Sequence, residues 1–562
     1  MTGTRAHPAP KRDSRTASSE YDSWRPWILV GLGLLGVGLA SWRPVPAGVW
    51  HDDGVYMLLG KSLAEGHGLV YHGVAGTPPA TKFPPGYPLV LGALWSLTRS
   101  IGAVTLLATL LNLGLIAAAG ALFGRTLHRA VGLPVSVSVI TAVMGFASTD
   151  VVRTALIPLS EPLFVLLVVL TLAQWPKVAA AVESKETPDG SRSPGALGPN
   201  WPLLVPPALT LVAVVATRSA GFAVLLACVA GLLLPRPSTR RLVSAALLTG
   251  PAFFFLIAWG RWSNSATERI PEGARDLLGP YQGWLAEQVS SGAAGFVADL
   301  PGHVTGVIGR AIALLLPGLV GTPLWVLGGL LLTLAAIGTV VLIRRLPACG
   351  WLIVTYLAML MVWPYLDRRL LVPLHPLLVS AIASGGLTLI DRSPSRKFRR
   401  VVPGLALLWL LGYASVTAYR VADGEPSAPY RVRARQLAAA VEAMDRTVPD
   451  DGVVGAPEAW AALHLHGGWV TAPSVRFDPR SEDPEAPMWG TAEEQLALWR
   501  DTGINHLLLE QGGQLHGEAL DRLETECPGA VAILARMRVA LVVRLDWTAT
   551  CPGVLPSTPR WP

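Results

Sequence analysis

Charged residues are scarce in this 562-residue sequence and make up only 15% of the chain. A soluble domain of ordinary composition carries about 25% charged residues, so the scarcity excludes an ordinary soluble protein. Hydrophobic residues make up 51%, and they gather in runs that approach the roughly 20 residues needed to cross a bilayer as a helix. The sequence therefore predicts an α-helical polytopic membrane protein.

Cysteine is also rare, with four in the whole chain. Cys228 and Cys349 lie in apolar runs, where we expect inert thiols. Cys527 and Cys551 lie in the C-terminal tail, and they could form a disulfide if that tail is extracytoplasmic. Two isolated cysteines at this spacing do not resemble a zinc site.

Acidic residues are in deficit before the tail. Residues 421–562 carry a net charge of −8, whereas the preceding residues carry +15. Basic residues are retained on the cytoplasmic side of a membrane, so this asymmetry indicates two compartments. It is a signal of topology, and we do not interpret it as nucleic-acid binding.

The N-terminus lacks a clear small-x-small cleavage site. Residues 1–25 are polar and basic, which predicts a disordered cytoplasmic tail. A basic tail before a short apolar run is also typical of a signal peptide. We interpret the run as a retained helix, because the tail is long and no such cleavage site follows.

Residues 86–97 decide the predicted topology, because this apolar stretch is short and follows two prolines. If it spans, the basic clusters 236–241, 344–345 and 392–400 fall outside. If it does not, these clusters and 125–129 all fall inside, as the positive-inside rule favours. The second solution predicts a multi-pass protein of the plasma (inner) membrane, with a cytoplasmic N-terminus and about eleven transmembrane helices. They are residues 27–41, 101–123, 132–149, 158–175, 203–217, 219–235, 242–260, 322–343, 349–365, 371–390 and 401–420.

The domain organisation follows from this topology. Residues 26–420 form the predicted transmembrane domain, with outer loops at 43–100 and 261–321. Residues 421–562 form a predicted small α/β extracytoplasmic domain, because short apolar strand patterns alternate there with helical ones. The predicted strands are 453–455, 469–471, 505–509 and 540–545, and the predicted helices are 431–446, 491–502 and 518–526.

Two adjacent carboxylates, Asp52 and Asp53, open the first outer loop. They could be a solvated pair, a cation site or a base. A base is what glycosyl transfer with inversion needs, since a carboxylate takes the acceptor proton as the sugar carbon is attacked. Glu161 opens an apolar helix, where the helix dipole alone would favour a carboxylate. These three carboxylates could bind a divalent cation, but no spacing demands one.

Several cations are predicted on the same outer face, against the positive-inside trend. Arginine suits bidentate contact with phosphate, and lysine supplies a point charge. The alternative for each is a side chain that reaches the membrane interface. The set consists of Lys82, Arg153, Arg218, Arg368 and Arg369.

These residues occur in motifs whose order is informative. The motifs are Asp52-Asp53-Gly54-Val55-Tyr56, Lys82-Phe83-Pro84-Pro85-Gly86-Tyr87-Pro88, Arg153 with Ser160-Glu161-Pro162, Arg218 with Gly221, and Trp363-Pro364-Tyr365-Leu366-Asp367-Arg368-Arg369. The set resembles the GT-C superfamily of membrane glycosyltransferases, which take sugars from polyprenyl-phosphate donors. It looks most similar to the branch of protein O-mannosyltransferases and aminoarabinose transferases.

The resemblance implies a GT-C-like fold and a role for each residue. It implies transfer of a sugar, with inversion, from a polyprenyl-phosphate donor to a hydroxyl of a glycan, lipid or protein. Asp52 matches the catalytic base, with Asp53 as its supporting neighbour. The implied donor-phosphate ligands are Lys82, Arg218, Arg368 and Arg369, and the residues that position substrate, acceptor or a cation are Tyr56, Tyr87, Arg153, Glu161 and Tyr365.

Two other functions stay open at this point. A lipid or polysaccharide transporter or flippase would use polar residues or broken helices near mid-membrane, often in repeated halves. The spans contain few charged residues, and no internal repeat is evident. The other alternative is a non-catalytic cell-envelope assembly protein that uses its tail for binding.

Overall fold

Helices dominate the computed structural model, which describes residues 23–182, 200–235, 237–280, 293–363, 367–475, 490–510, 516–537 and 540–548. The described part of each predicted span lies largely on helix. In chain order the helices up to residue 422 are α1 Arg25–Ser41, α2 His51–Ala64, α3 Gly86–Thr98, α4 Ile101–Thr126, α5 Val135–Phe146, α6 Thr149–Ala155, α7 Glu161–Val182, α8 Val205–Thr217, α9 Gly221–Leu233, α10 Thr239–Thr267, α11 Arg275–Leu278, α12 Ala293–Leu315, α13 Gly321–Arg345, α14 Pro347–Val362, α15 His375–Arg392 and α16 Arg396–Ala422.

The apolar helices identify a multi-pass membrane protein. Among the described residues, five helices are long and apolar enough to cross a bilayer, or six if the bent pair of α5 and α6 counts as one span. That pair bends by 61° at Ser148, whose hydroxyl accepts a hydrogen bond from the Val151 N–H and so caps a new helix. The predicted number of eleven spans stays a prediction, as does the direction in which the chain crosses.

Helix α3 covers the stretch on which the topology depends. It has 13 residues, which gives a length of about 20 Å and leaves it shorter than the hydrocarbon core of a bilayer. It packs against α2, where the Cα of Gly60 lies so close to Leu91 that a Cβ would approach the Leu91 side chain to 2.7 Å. This close approach fixes α3 beside the helix that begins with the acidic pair.

The C-terminal segment forms an α/β unit, as predicted. Its elements are α17 Ala428–Thr447, β1 Val453–Ala456, α18 Trp460–Gly467, β2 Val470–Pro473, α19 Ala492–Asp501, β3 His506–Glu510, α20 Gly517–Glu526, β4 Val531–Arg536 and β5 Ala540–Leu545. The strands are arranged in the order β2-β1-β3-β5-β4, with β1 parallel to both of its neighbours and β5 antiparallel to both of its neighbours. The sequence patterns missed strand β4 and helix α18.

The loop predicted to be the first outer loop, within residues 43–100, packs directly on this α/β unit. The backbone of Thr471 in β2 donates to the carbonyl of Gly73 at 2.9 Å and accepts from the N–H of Ala75 at 2.8 Å, so Val74 forms an isolated parallel β-bridge with Thr471 at the sheet edge. Tyr71 of the loop also packs edge-on against Trp460 in a shared hydrophobic core. A second core holds the membrane helices together.

Some predictions fall outside the described residues. These are most of the N-terminal tail, Tyr365 and Cys551. Cys527 is disulfide-bonded, whereas Cys228 and Cys349 are free and buried. The domain boundaries stay a prediction.

Candidate active site

The acidic pair occupies the first turn of α2, where its two members face different surroundings. Asp53 is fully buried, and its two carboxylate oxygens accept the backbone N–H groups of Gly48 and Trp50, both at 2.7 Å. Burial raises the pKa of Asp53 to about 7, although the backbone hydrogen bonds act in the opposite direction. Asp53 therefore caps the helix and fixes the chain that leads into it.

Gly48 shows how tight this turn is. Its φ is +85°, and a Cβ at this position would lie 2.3 Å from the Cβ of Ala462 in α18. A left-handed conformation and a close neighbour both favour glycine. The turn that Asp53 stabilises is thus held against the α/β unit.

Asp53→Ala is expected to destabilise the protein by about 2 kcal/mol or more, because two buried N–H groups lose their acceptor. Thermal unfolding of the purified chain in detergent measures this loss as a lower Tm. Asp445→Ala is the control, since Asp445 is exposed on α17. An unchanged Tm for Asp53→Ala would contradict a capping role.

Asp52 instead points toward a guanidinium. Its Oδ2 accepts a hydrogen bond from Nη1 of Arg369 at 2.8 Å. Burial raises the pKa of Asp52, but the charge of Arg369, with smaller contributions from His51 and Lys82, outweighs burial and lowers the pKa below its usual value. Asp52 is therefore a carboxylate at neutral pH, as a base must be.

Arg369 also binds a second carboxylate from its own segment. Its Nε donates to Oδ2 of Asp367 at 2.7 Å, and its backbone N–H donates to Oδ1 of the same residue at 2.8 Å. Nη1 lies 4.0 Å from Oε1 of Glu161. The two close carboxylates, Asp52 and Asp367, attract the guanidinium and fix its orientation.

A second arginine stands beside the first. Nη1 of Arg218 lies 2.8 Å from Oε1 of Glu161 and donates to the hydroxyl of Ser160 at 3.0 Å. That hydroxyl is also 2.9 Å from the hydroxyl of Tyr56. Glu161 is buried, so its negative charge holds two arginines near one another on the same side of the site.

Several of these groups line one cavity that opens to solvent, and the empty space between its walls, with the solvent-filled mouth included, is about 660 Å³. Its polar side chains include Asp52, Arg218 and Arg369, and the remaining wall is mostly apolar. The lining consists of Asp52, Tyr56, Phe83, Pro84, Arg218, Ser219, Ala220, Met359, Leu360, Trp363, Asp367, Arg369 and Leu370.

Lys82 and Tyr87 lie next to the cavity residues without lining it. Nζ of Lys82 donates to the carbonyl of Leu277 at 3.0 Å, while its charge helps to lower the pKa of Asp52. Tyr87 is buried, packs edge-on against Tyr56, and its hydroxyl donates to Asn112 at 3.3 Å. Their predicted roles toward phosphate and substrate stay predictions.

Arg153 and Arg368 belong to a separate group around Asp150. Arg153 lies 3.7 Å from Asp150 and 3.7 Å from Glu425, and Arg368 lies 3.8 Å from Asp150. Neither lines the cavity. The geometry thus separates the two consecutive arginines, with Arg369 in the cavity and Arg368 outside it.

Sequence reasoning missed the residues that support Arg369. The guanidinium of Arg369 lies 5.7 Å from the ring centre of Trp50, and that of Arg433 lies 4.5 Å from it. Arg433 is in turn paired with Glu458 at 2.8 Å. Trp50 lies close to the acidic pair in the sequence and could have been singled out, but its partners Arg369 and Arg433 lie in distant segments. Contacts from Glu458 through Arg433 and Trp50 to Arg369 therefore join the α/β unit to the cavity.

A divalent cation at the three carboxylates would compete with these partners. Asp53 accepts two backbone N–H groups, Asp52 is paired with Arg369, and Glu161 is paired with Arg218. A cation that binds all three carboxylates must therefore displace an arginine or backbone N–H groups from each of them.

No family model matches the chain, and no curated protein matches it. Several solved structures match the chain in fold. ArnT from Cupriavidus metallidurans bound to undecaprenyl phosphate superposes with a TM-score of 0.50 and 14% identity, covering 92% of this chain and 97% of ArnT. The apo oligosaccharyltransferase of Archaeoglobus fulgidus superposes with a TM-score of 0.51 and 9% identity, covering 91% of this chain and 71% of that one. At these identities the likeness shows a shared fold.

Proposed function

The chain has the GT-C fold, and on that premise we propose that it is a membrane glycosyltransferase. It transfers a sugar from a polyprenyl-phosphate donor to an acceptor hydroxyl on the extracytoplasmic face. Transfer proceeds with inversion, and Asp52 is the base. ArnT was solved with undecaprenyl phosphate, which supports this class of donor.

One observation carries the proposal: a carboxylate and two arginines share a single cavity with apolar walls. The carboxylate of Asp52 suits proton transfer from a hydroxyl. The guanidinium groups of Arg218 and Arg369 suit the oxygens of a phosphate. The apolar lining, including Met359 and Leu360, suits the first units of a polyprenyl chain.

The charge balance of the reaction explains the need for two arginines. The acceptor oxygen attacks the anomeric carbon, the bond from that carbon to the phosphate oxygen breaks, and the acceptor proton passes to Asp52. The phosphate changes from a diester to a monoester and so gains negative charge as it leaves. Arg218 and Arg369 stabilise that developing charge, which is the kind of interaction that lowers a transition-state barrier.

The pairing of Asp52 with Arg369 has a consequence for donor binding. A phosphate that binds Arg369 competes with Asp52 for the same Nη1 atom, which lies 2.8 Å from the carboxylate before the donor arrives. Binding of the donor therefore draws the guanidinium away from Asp52 and leaves the base free for the acceptor hydroxyl.

Asp52→Asn is expected to bind sugar-free polyprenyl phosphate several-fold more tightly than the natural chain. The asparagine removes the negative charge that repels the phosphate and occupies Arg369. Native mass spectrometry or fluorescence titration in detergent measures the dissociation constant. Asp445→Asn is the matched control, because Asp445 is exposed on α17. Weaker or unchanged binding by Asp52→Asn would contradict the competition.

The proposed location rests on the distribution of charge. The N-terminus is cytoplasmic, the α/β unit is extracytoplasmic, and the membrane is the plasma (inner) membrane. Basic clusters near Arg241, Arg345 and Arg400 lie at the ends of α10, α13 and α16, which supports one common cytoplasmic side. The cavity then opens on the opposite face.

Lipid analysis of a deletion strain separates the proposal from the alternatives. A transferase that no longer acts leaves its donor unused, so a polyprenyl-phosphate sugar accumulates and disappears when the gene is restored. A strain with unchanged lipid-linked sugars would favour a non-catalytic assembly role. Accumulation on the cytoplasmic face alone would favour a flippase.

A further inference from the structure

A cluster of metal-ligating side chains lies at the C-terminal end of α2, outside the cavity. It consists of Glu65, His67 and His72, whose ligand atoms all lie within 4.8 Å of one another. Glu65 and His67 are exposed, and His72 is half-buried. Two imidazoles and a carboxylate form a donor set that suits Zn²⁺ and related transition metals.

The backbone of this turn holds the three side chains together. Gly66, Gly68 and Gly73 all have positive φ, at 83°, 81° and 87°, a conformation that glycine adopts without a steric penalty. The N–H of His67 donates to the carbonyl of Ser62, and the hydroxyl of Ser62 donates to the carbonyl of Gly68. The turn is therefore a fixed structure that brings His67 and His72 face to face.

A third histidine approaches from the α/β unit. The ring of His464 in α18 lies 6.4 Å from that of His72. Its Nδ1 is 2.9 Å from the carbonyl of Trp469, which places the proton on Nδ1 and the lone pair on Nε2. Nε2 is buried and makes no hydrogen bond among the described residues. A backbone carbonyl on the other ring nitrogen is the usual support of a metal-bound histidine.

We propose that Glu65, His67 and His72 bind a divalent transition-metal ion of the zinc class, with His464 as the fourth ligand. Zn–N bonds of about 2.0–2.1 Å set two bound imidazole centres about 5 Å apart. The stacked rings of His67 and His72, at 3.7 Å, must spread to reach this geometry. The side chain of His67 is 43% exposed, so solvent gives it room to rotate away from His72. The Lys61–Glu65 pair, at 3.9 Å and with side chains 26% and 37% exposed, is a weak competitor for the carboxylate.

The ion would join two parts of the protein that already touch. Glu65, His67 and His72 follow the helix whose first turn carries Asp52, and His464 belongs to the α/β unit. The backbone bonds between Gly73 and Thr471 lie beside the site. Metal binding at this position therefore stabilises the outer loop on the α/β unit, and it supplies no group to the cavity.

The test uses the full-length chain in detergent, stripped of metal with a chelator and titrated with ZnCl₂. Competition with a chromophoric chelator measures affinity, and thermal unfolding measures Tm. We expect one tightly bound Zn²⁺ per chain and a Tm that rises by a few degrees. The double variant His67→Ala/His72→Ala is expected to weaken binding by roughly 100-fold or more and to lose the rise in Tm, since ligand number sets affinity.

Two matched controls show whether the effect belongs to the cluster. Glu65→Gln weakens zinc binding, whereas Glu442→Gln, another glutamate in a helical i,i+4 ion pair, leaves it unchanged. His303→Ala, outside the cluster, also binds zinc as the natural chain does. The proposal is overturned if the natural chain binds Zn²⁺ no more tightly than the double variant.

Discussion

Asp52→Asn is expected to lower sugar transfer by roughly 10²–10⁴-fold, the contribution of a well-placed general base. The amide retains the size of the side chain but cannot take the proton of the acceptor hydroxyl. Because Asp53 and not Asp52 caps the helix through Gly48 and Trp50, the variant is expected to fold and enter the membrane normally. Consumption of the lipid-linked sugar that accumulates in the deletion strain, by membranes that contain each variant, measures the effect.

Asp445→Asn is the matched control for this experiment, and it should transfer sugar at the natural rate. Size-exclusion chromatography checks that Asp52→Asn remains folded. Full activity of a folded Asp52→Asn chain would remove Asp52 from the mechanism. Together with the tighter binding of polyprenyl phosphate expected for the same variant, the loss of activity separates the chemical step from donor binding.

Arg369→Lys is expected to lower both donor binding and transfer by roughly 10- to 100-fold, the value of one or two hydrogen bonds between charged groups. Lysine keeps the positive charge but lacks the planar fork. Arg369 contacts Asp367 through Nε while its Nη1 faces Asp52 and the phosphate. The single nitrogen of a lysine cannot make both contacts in this geometry. Titration with polyprenyl phosphate and transfer by membranes measure the two effects.

The neighbouring residue supplies the control. Arg368→Lys changes the same type of side chain one position earlier, but Arg368 faces Asp150 and is half-exposed. We expect natural binding and transfer for this variant. Equal losses for both substitutions would show that the two arginines share the phosphate, as the resemblance to the GT-C superfamily implies.

Much of the fold could be predicted from the sequence, because apolar runs determine where helices form in a membrane protein. The predicted span 101–123 corresponds to the helix Ile101–Thr126, and the predicted span 322–343 corresponds to the helix Gly321–Arg345. Strand β4 was missed because Val531–Arg536 is only half-buried along most of its length and shows no alternation. Helix α18 was missed because it is short and ends in a Gly-Gly pair.

The candidate site was less predictable, since it depends on contacts between distant segments. Asp52 and Arg369 are 317 residues apart, and no local pattern states that they touch. The sequence could not separate Asp52 from Asp53 by chemistry, because the capping role of Asp53 arises from two N–H groups in the preceding turn. It could not separate Arg368 from Arg369 either, because a tight 3₁₀ turn sends them to different partners.

A structure of the chain with undecaprenyl phosphate bound would show whether Arg218 and Arg369 hold the donor phosphate. We predict that the phosphate lies in the cavity, with its oxygens within hydrogen-bond distance of Arg218 and Arg369, and that the guanidinium of Arg369 has moved from Asp52 to the phosphate. A phosphate bound instead at Arg153 and Arg368, with the Asp52–Arg369 pair intact, would contradict the proposed roles of Asp52, Arg218 and Arg369.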